Sequence, residues 1–233
     1  MLSEKIKLRK ALLIGKIVVV LAFVVSLNPY VLFFTVPVFL IGTIFVWISK
    51  AKLRTKVLWT ILPVLFWYPA FFLFMYLSGV IGTATAQKLD FIFEGNFEGK
   101  VLVVENMKCG QPVNVVNGRE QLFIPRHGVL LYQGEIKTGY VNHKYYKITN
   151  DKQKIELPER ANYMYFDSEL NKPNTKVTGV WLLDTGKGTN TGGKTYKFMD
   201  LLVASKDSAD KYYEFAYTKR FEQFTDSLIN HCK

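Results

Sequence analysis

Residues 57 to 81 read VLWTILPVLFWYPAFFLFMYLSGVI, without one ionisable acid or base of the Asp, Glu, Lys, Arg or His type. A helix crosses a hydrocarbon layer about 30 Å thick with about 20 apolar residues. This run is therefore long enough to span a membrane with room for tilt, and everything on either side of it must be assigned to one of two solvents.

Two further apolar runs precede it, about 11–27 and 30–48. Between them lie Ser26, Leu27, Asn28 and Pro29; proline cannot continue a helical hydrogen-bond ladder and asparagine favours a turn, so a tight helical hairpin is expected there. Lys16 lies close enough to the end of its run for the long stem to carry the ammonium to the headgroups. Pro63 and Pro69 should kink the third run, and Trp59, Trp67, Tyr68 and Tyr76 beside them suit a membrane interface or helix packing. No span holds Asp, Glu, His or Arg, the side chains that mark proton and ion paths, so transport by this chain alone is not expected.

Charge orients the runs. Residues 1–56 hold nine Lys or Arg against Glu4 alone, whereas the 21 bases from Lys88 onward nearly balance 18 acids. Lys5, Lys7, Arg9 and Lys10 precede the first run, and Lys50, Lys52, Arg54 and Lys56 fill the connection before the third. Cytoplasmic loops retain such clusters. Both therefore belong inside, and the chain is expected to be a multi-pass protein of the cell membrane with residues 1–87 as the transmembrane region and 88–233 as an extracytoplasmic domain. The bilayer also accounts for the formal charge of +11 without nucleic acid, whose binding requires a basic stripe absent from the later residues. The basic start followed by an apolar run resembles a secretion signal, but more apolar sequence follows at once, which suits an uncleaved anchor; Ala84-Thr85-Ala86 follows a run much longer than a signal core.

Beyond Leu89 the pattern changes to short runs between turn residues. Strands are expected at 99–105, 121–124, 129–132, 144–148, 154–157 and 178–183. Asn117-Gly118 supplies the positive φ angles of a two-residue hairpin, so Val113–Val116 and Arg119–Leu122 should pair antiparallel. Strands so spaced predict an antiparallel sandwich or barrel-like domain. At the end, Tyr213, Tyr217, Phe221, Phe224 and Leu228 recur at intervals of three and four, which predicts an amphipathic helix over 207–231, capped by Asp207 or Ser208. Cys109 and Cys232 lie in the compartment expected to be oxidising and are a candidate disulfide.

Gly188-Thr-Asn-Thr-Gly-Gly193-Lys194-Thr195 fits the P-loop pattern, in which backbone amides cradle phosphates at the start of a helix. Only 38 residues follow Thr195, too few for the parallel βα units of a usual nucleotide-binding domain, so a loop between strands is expected and no nucleotide. His127, His143 and His231 lack metal-ligand spacing, and Asp167 and Glu169 read as a solvated strand face. No catalytic, metal or cofactor residue is assigned.

Phe93-Glu-Gly-Asn-Phe-Glu-Gly-Lys-Val101, Asn117-Gly118, Phe123-Ile-Pro125, His127-Gly-Val-Leu130 and Tyr145-Tyr146 give the stretch from Phe91 to Ile148 a further character. It resembles a family of uncharacterised bacterial extracytoplasmic domains found mainly in Bacteroidota. The resemblance implies a small β domain outside the cell membrane, with no activity attached. The function expected is noncatalytic binding of an envelope component or partner protein, the bilayer being the other partner. The alternatives are an envelope hydrolase built from His127, His143 and carboxylates, and a subunit packing through its spans into a larger membrane complex, with Gly42, Gly79 and Gly82 permitting close helix contact.

Overall fold

The computed structural model describes residues 2–149, 151–160 and 176–232, with side chains from Lys10 onward. Asp167 and Glu169 lie outside the described residues. The chain divides into two compact units, 1–82 and 83–233.

The first unit is helical: α1 (Leu2–Ser26), α2 (Leu32–Ile48) and α3, which begins at Leu53 and runs to Thr85. The segments Pro29–Ile48 and Leu53–Thr85 are long and apolar enough to cross a membrane. The turn between α1 and α2 forms where the sequence predicts it. Asn28 caps a single 3-10 turn, Pro29–Val31, by accepting a hydrogen bond from the Tyr30 amide at 3.1 Å. Two glycines let these helices approach: a Cβ on Gly42 would meet Val18 and Val19 of α1 at 2.9–3.0 Å, and one on Gly15 would meet Val46 of α2 at 2.8 Å. Gly42 thus serves packing within the chain, whereas nothing lies within 4 Å of a Cβ on Gly79. The Lys16 ammonium stands 5.0 Å from the centre of the Trp59 ring, a cation–π contact.

The second unit is two five-stranded sheets. One has the order β3 (Val115–Val116), β4 (Arg119–Ile124), β1 (Lys88–Glu94), β6 (Asn142–Ile148), β7 (Lys154–Leu157). The other runs β5 (Val129–Leu131), β2 (Gly99–Val104), β10 (Thr195–Ala204), β9 (Gly179–Thr189), β8 (Glu159–Arg160). The expected antiparallel arrangement is corrected here: both sheets are mixed and neither closes into a barrel. β1 runs parallel to β4 and to β6, β2 to β5, and β8 to β9. The chain crosses from one sheet to the other after β1, β2, β4, β5 and β7; the strand pairs linked by only a few residues, β3–β4, β6–β7 and β9–β10, are antiparallel, whereas every parallel pair is linked by a longer connection. The hairpin at Asn117-Gly118 pairs antiparallel as expected, with φ of 53° and 72° at the turn.

Three strands lie where the sequence reading gives no expectation: the short edge strand β8, and β1 and β10, each the centre of its sheet. β1 buries Leu89, Phe91 and Phe93 between the sheets and Asp90 and Ile92 on its other face, so it shows a continuous run rather than an alternation. β10 sends Met199, Leu201 and Val203 into the same core, and Leu202 and Ala204 outward beneath the helices that follow.

Those helices are not continuous from residue 207. Ser205 caps a short α4 (Lys206–Ala209) by reciprocal hydrogen bonds with Ser208, a 3-10 turn follows, and the backbone is extended at Glu214 before α5 (Phe215–His231). The break lets Tyr212 and Tyr217 both pack with Trp181 and Leu202 on the outer face of the second sheet. The stripe that faces the sheet is Tyr217, Phe221, Thr225 and Ile229, while Tyr213 and Phe224 stay exposed. At its end Cys232 is bonded to Cys109, with Cα atoms 5.5 Å apart, and packs with Val104, Met107 and Ile229.

Candidate functional site

β9 and β10 form a hairpin that outruns its neighbour: β2 pairs with β10 only from Phe198 to Val203. The free end carries the P-loop-like residues. Gly188 and Thr189 finish β9, Thr195 begins β10 opposite Thr189, and the Asn190 amide donates to the Lys194 carbonyl at 3.1 Å. A strand follows the loop, not a helix, so the backbone geometry of a phosphate cradle at a helix start is not formed.

This tip is tied to α5. The Asn190 side chain, 5% exposed, donates to the Asn230 side chain at 2.7 Å and accepts from the Lys194 amide at 2.8 Å; the Thr191 amide donates to the Asp226 carboxylate at 3.2 Å. Beneath the bridge, between the outer face of the sheet and α5, is a cavity of about 490 Å³. Its floor is Lys100, Leu102, Tyr196, Phe198 and Asp200, its roof Thr218, Phe221, Glu222, Thr225 and Asp226.

Asp200 decides the chemistry of this cleft. Strand alternation turns it outward between Met199 and Leu201, onto the face that α5 covers. One carboxylate oxygen, Oδ1, is buried and has no hydrogen-bond partner among the described residues. Burial pushes its carboxyl up to about 6, against the pull of Lys100, and Asp184 across the hairpin raises it further. A desolvated acceptor lacking a donor costs about 1–3 kcal/mol, and a ligand N–H or O–H would recover it. Tyr196, Phe198 and Phe221 offer aromatic surface for the rest of such a ligand.

The residues weighed from sequence do not meet here. His127 sits in the turn before β5, its ring 4.8 Å from that of Phe224 and its Nδ1 accepting from the Val129 amide at 3.2 Å. His143 is on β6, its ring 5.4 Å from Phe91, where burial and the nearby Arg119 push its pKa down to about 4. Each is held by its own aromatic neighbours in a different layer. Among the described residues, no three His, Cys, Asp or Glu side chains gather as a metal would need. Asp200 had one signal in the sequence, an acid interrupting the run Phe198-Met199-Asp200-Leu201-Leu202-Val203.

A profile described as a family of unknown function (DUF6843) matches residues 87–212, more than half of the chain and all ten strands among the described residues, and includes the Phe91 to Ile148 stretch. Among solved structures, the chain is similar to a Bacillus anthracis protein described as a candidate lipoprotein, with 13% identity and a TM-score of 0.45 over 63% of this chain and 97% of that one. No curated protein matches the chain.

Proposed function

The chain belongs to the DUF6843 family, and for it we propose a noncatalytic role: a membrane-anchored module whose outer, strand-rich domain binds an envelope component through the cleft between β10 and α5. The observation that carries this reading is the buried Oδ1 of Asp200, which has no hydrogen-bond partner among the described residues, at the floor of a ligand-sized cavity. Small-ligand sites set polar groups that fix orientation beside apolar surface, supplied here by Tyr196, Phe198 and Phe221. The ligand is an amine- or hydroxyl-bearing fragment with an apolar body.

Three spans, with the N-terminus inside, anchor the domain. The reading is supported by the two span-length helices, by basic clusters before the first run and between the second and third, and by the disulfide, which suits an oxidising compartment.

The test is thermal denaturation of the detergent-solubilised full chain against amine- and hydroxyl-bearing cell-wall and lipopolysaccharide fragments, for the wild type and Asp200→Asn. A fragment that raises the wild-type midpoint but not that of the variant supports the reading. Equal shifts in both proteins, or conversion of a fragment to product, would refute it.

A further inference from the structure

The β9–β10 hairpin has a second face, opposite Tyr196 and Phe198, where it outruns the core. Lys187 and Lys197 are directly opposed across the two strands. Like charges in that register destabilise a hairpin. Lys108, from the loop after β2, and Lys194, from the hairpin tip, line one cavity of about 420 Å³ with them; Lys137 lines an adjoining one of about 540 Å³ that shares Glu105, Lys187 and Lys197. Five lysines, three from the β9–β10 hairpin and one each from the loops after β2 and β5, thus converge on one groove.

The groove's two carboxylates are already engaged. Glu135 pairs with Lys197, and Glu105, 6% exposed, accepts from the Ile136 amide at 2.9 Å. Lys194 donates to the Cys232 carbonyl at 3.4 Å, while Lys108, Lys137 and Lys187 have no carboxylate at ion-pair distance among the described residues. Among the described lining residues, five positive charges against two negative ones leave an excess suited to an anion. Among the described residues the groove's cations are all lysines, which bind phosphoryl oxygens as point charges with rotatable donors.

We infer that this groove binds a phosphoryl group, presented either by a lipid headgroup or by a soluble phosphate ester. Its lysines are distinct from the residues that carry the Asp200 cleft, although Tyr196 and Phe198 border both, and either reading can stand without the other.

Amine-modification footprinting of the full chain in nanodiscs tests it, with the rate at each lysine read by mass spectrometry. Inorganic pyrophosphate added to phosphatidylcholine nanodiscs should slow modification of Lys108 and Lys187 at least threefold and leave Lys144, exposed on the other sheet, unchanged; that result identifies a soluble ligand. The same protection appearing only when phosphatidylglycerol is included identifies a headgroup. Protection in neither case, or equal slowing at Lys144, overturns the inference. Calorimetry gives a second readout: Lys187→Gln, an exposed position, should weaken pyrophosphate or phosphatidylglycerol binding at least fivefold, and an unchanged affinity would overturn it.

Discussion

Phe33 and Phe91 are the same side chain in opposite situations. Phe33, on α2, is 83% exposed, and Tyr30, Phe34, Leu65 and Tyr76 in the same unit are exposed to a similar degree; Phe91, on β1, is wholly buried with Phe93 and Leu89. A folded unit in water does not leave contiguous large apolar side chains uncovered. The helices need a second solvent for their stability and the sheets do not, so a substitution should report which solvent its position faces.

The largest expected effect is in the strand unit. The Cys109–Cys232 bridge spans 123 residues of sequence, and a loop of that length stabilises by about 5 kcal/mol in the chain-entropy account. Cys232→Ser, or reductant, should lower the strand unit's denaturation midpoint and leave the helical unit's circular dichroism unchanged in detergent. Next comes Phe91→Ala, expected to cost about 4 kcal/mol through lost burial and a cavity, whereas Phe33→Ala should cost close to nothing in micelles. Equal losses at the two positions would break the comparison. A smaller effect, about 3 kcal/mol, is expected for Gly42→Leu, which drives a side chain into Val18 and Val19 and should loosen the α1–α2 hairpin without touching the sheets.

The smallest effect is in pH. Asp200 has a raised carboxyl, about 6, so the native state holds a proton that the unfolded state releases from about pH 4 upward; its contribution to stability is present at low pH and lost as pH rises to 6. His143, held to about 4, has the opposite sign: the unfolded state takes a proton near 6.5 and the native state does not, so stability is lost as pH falls from 6.5 to 4. Each displacement corresponds to about 3 kcal/mol, but in the wild type they oppose one another, so the net change is small. Asp200→Asn should expose the histidine slope, a stability that climbs more steeply with pH than the wild type's; His143→Gln should tilt the curve the other way. Urea denaturation from pH 4 to 7 reads both.

Much of the helical unit was legible because a long apolar run has one physical reading. The Asn28-Pro29 turn followed from proline chemistry, and the Asn117-Gly118 hairpin from positive φ. The strand unit was legible in its edges and not in its centres. β1 lacks alternation because both its faces are covered, and β10 follows a Gly- and Thr-rich stretch that drew attention as a phosphate motif. Parallel pairing could not be read at all, since it joins strands separated by long connections, whose pairing no local turn signal records. The aromatic stripe was displaced because Glu214 breaks the helix between Tyr213 and Tyr217. The cleft at Asp200 is assembled from β2, β9, β10 and α5, four segments that only the fold brings together.

The central claim is that the strand unit lies outside the membrane that the helices enter. Labelling of intact cells with a membrane-impermeant thiol reagent, before and after reduction, tests it most directly, with Asp151→Cys as an exposed reporter independent of the bridge. The account predicts that the Asp151→Cys thiol reacts at once and that Cys109 and Cys232 react only after reduction. Protection of all three until the membrane is permeabilised would contradict it and put the domain on the other side.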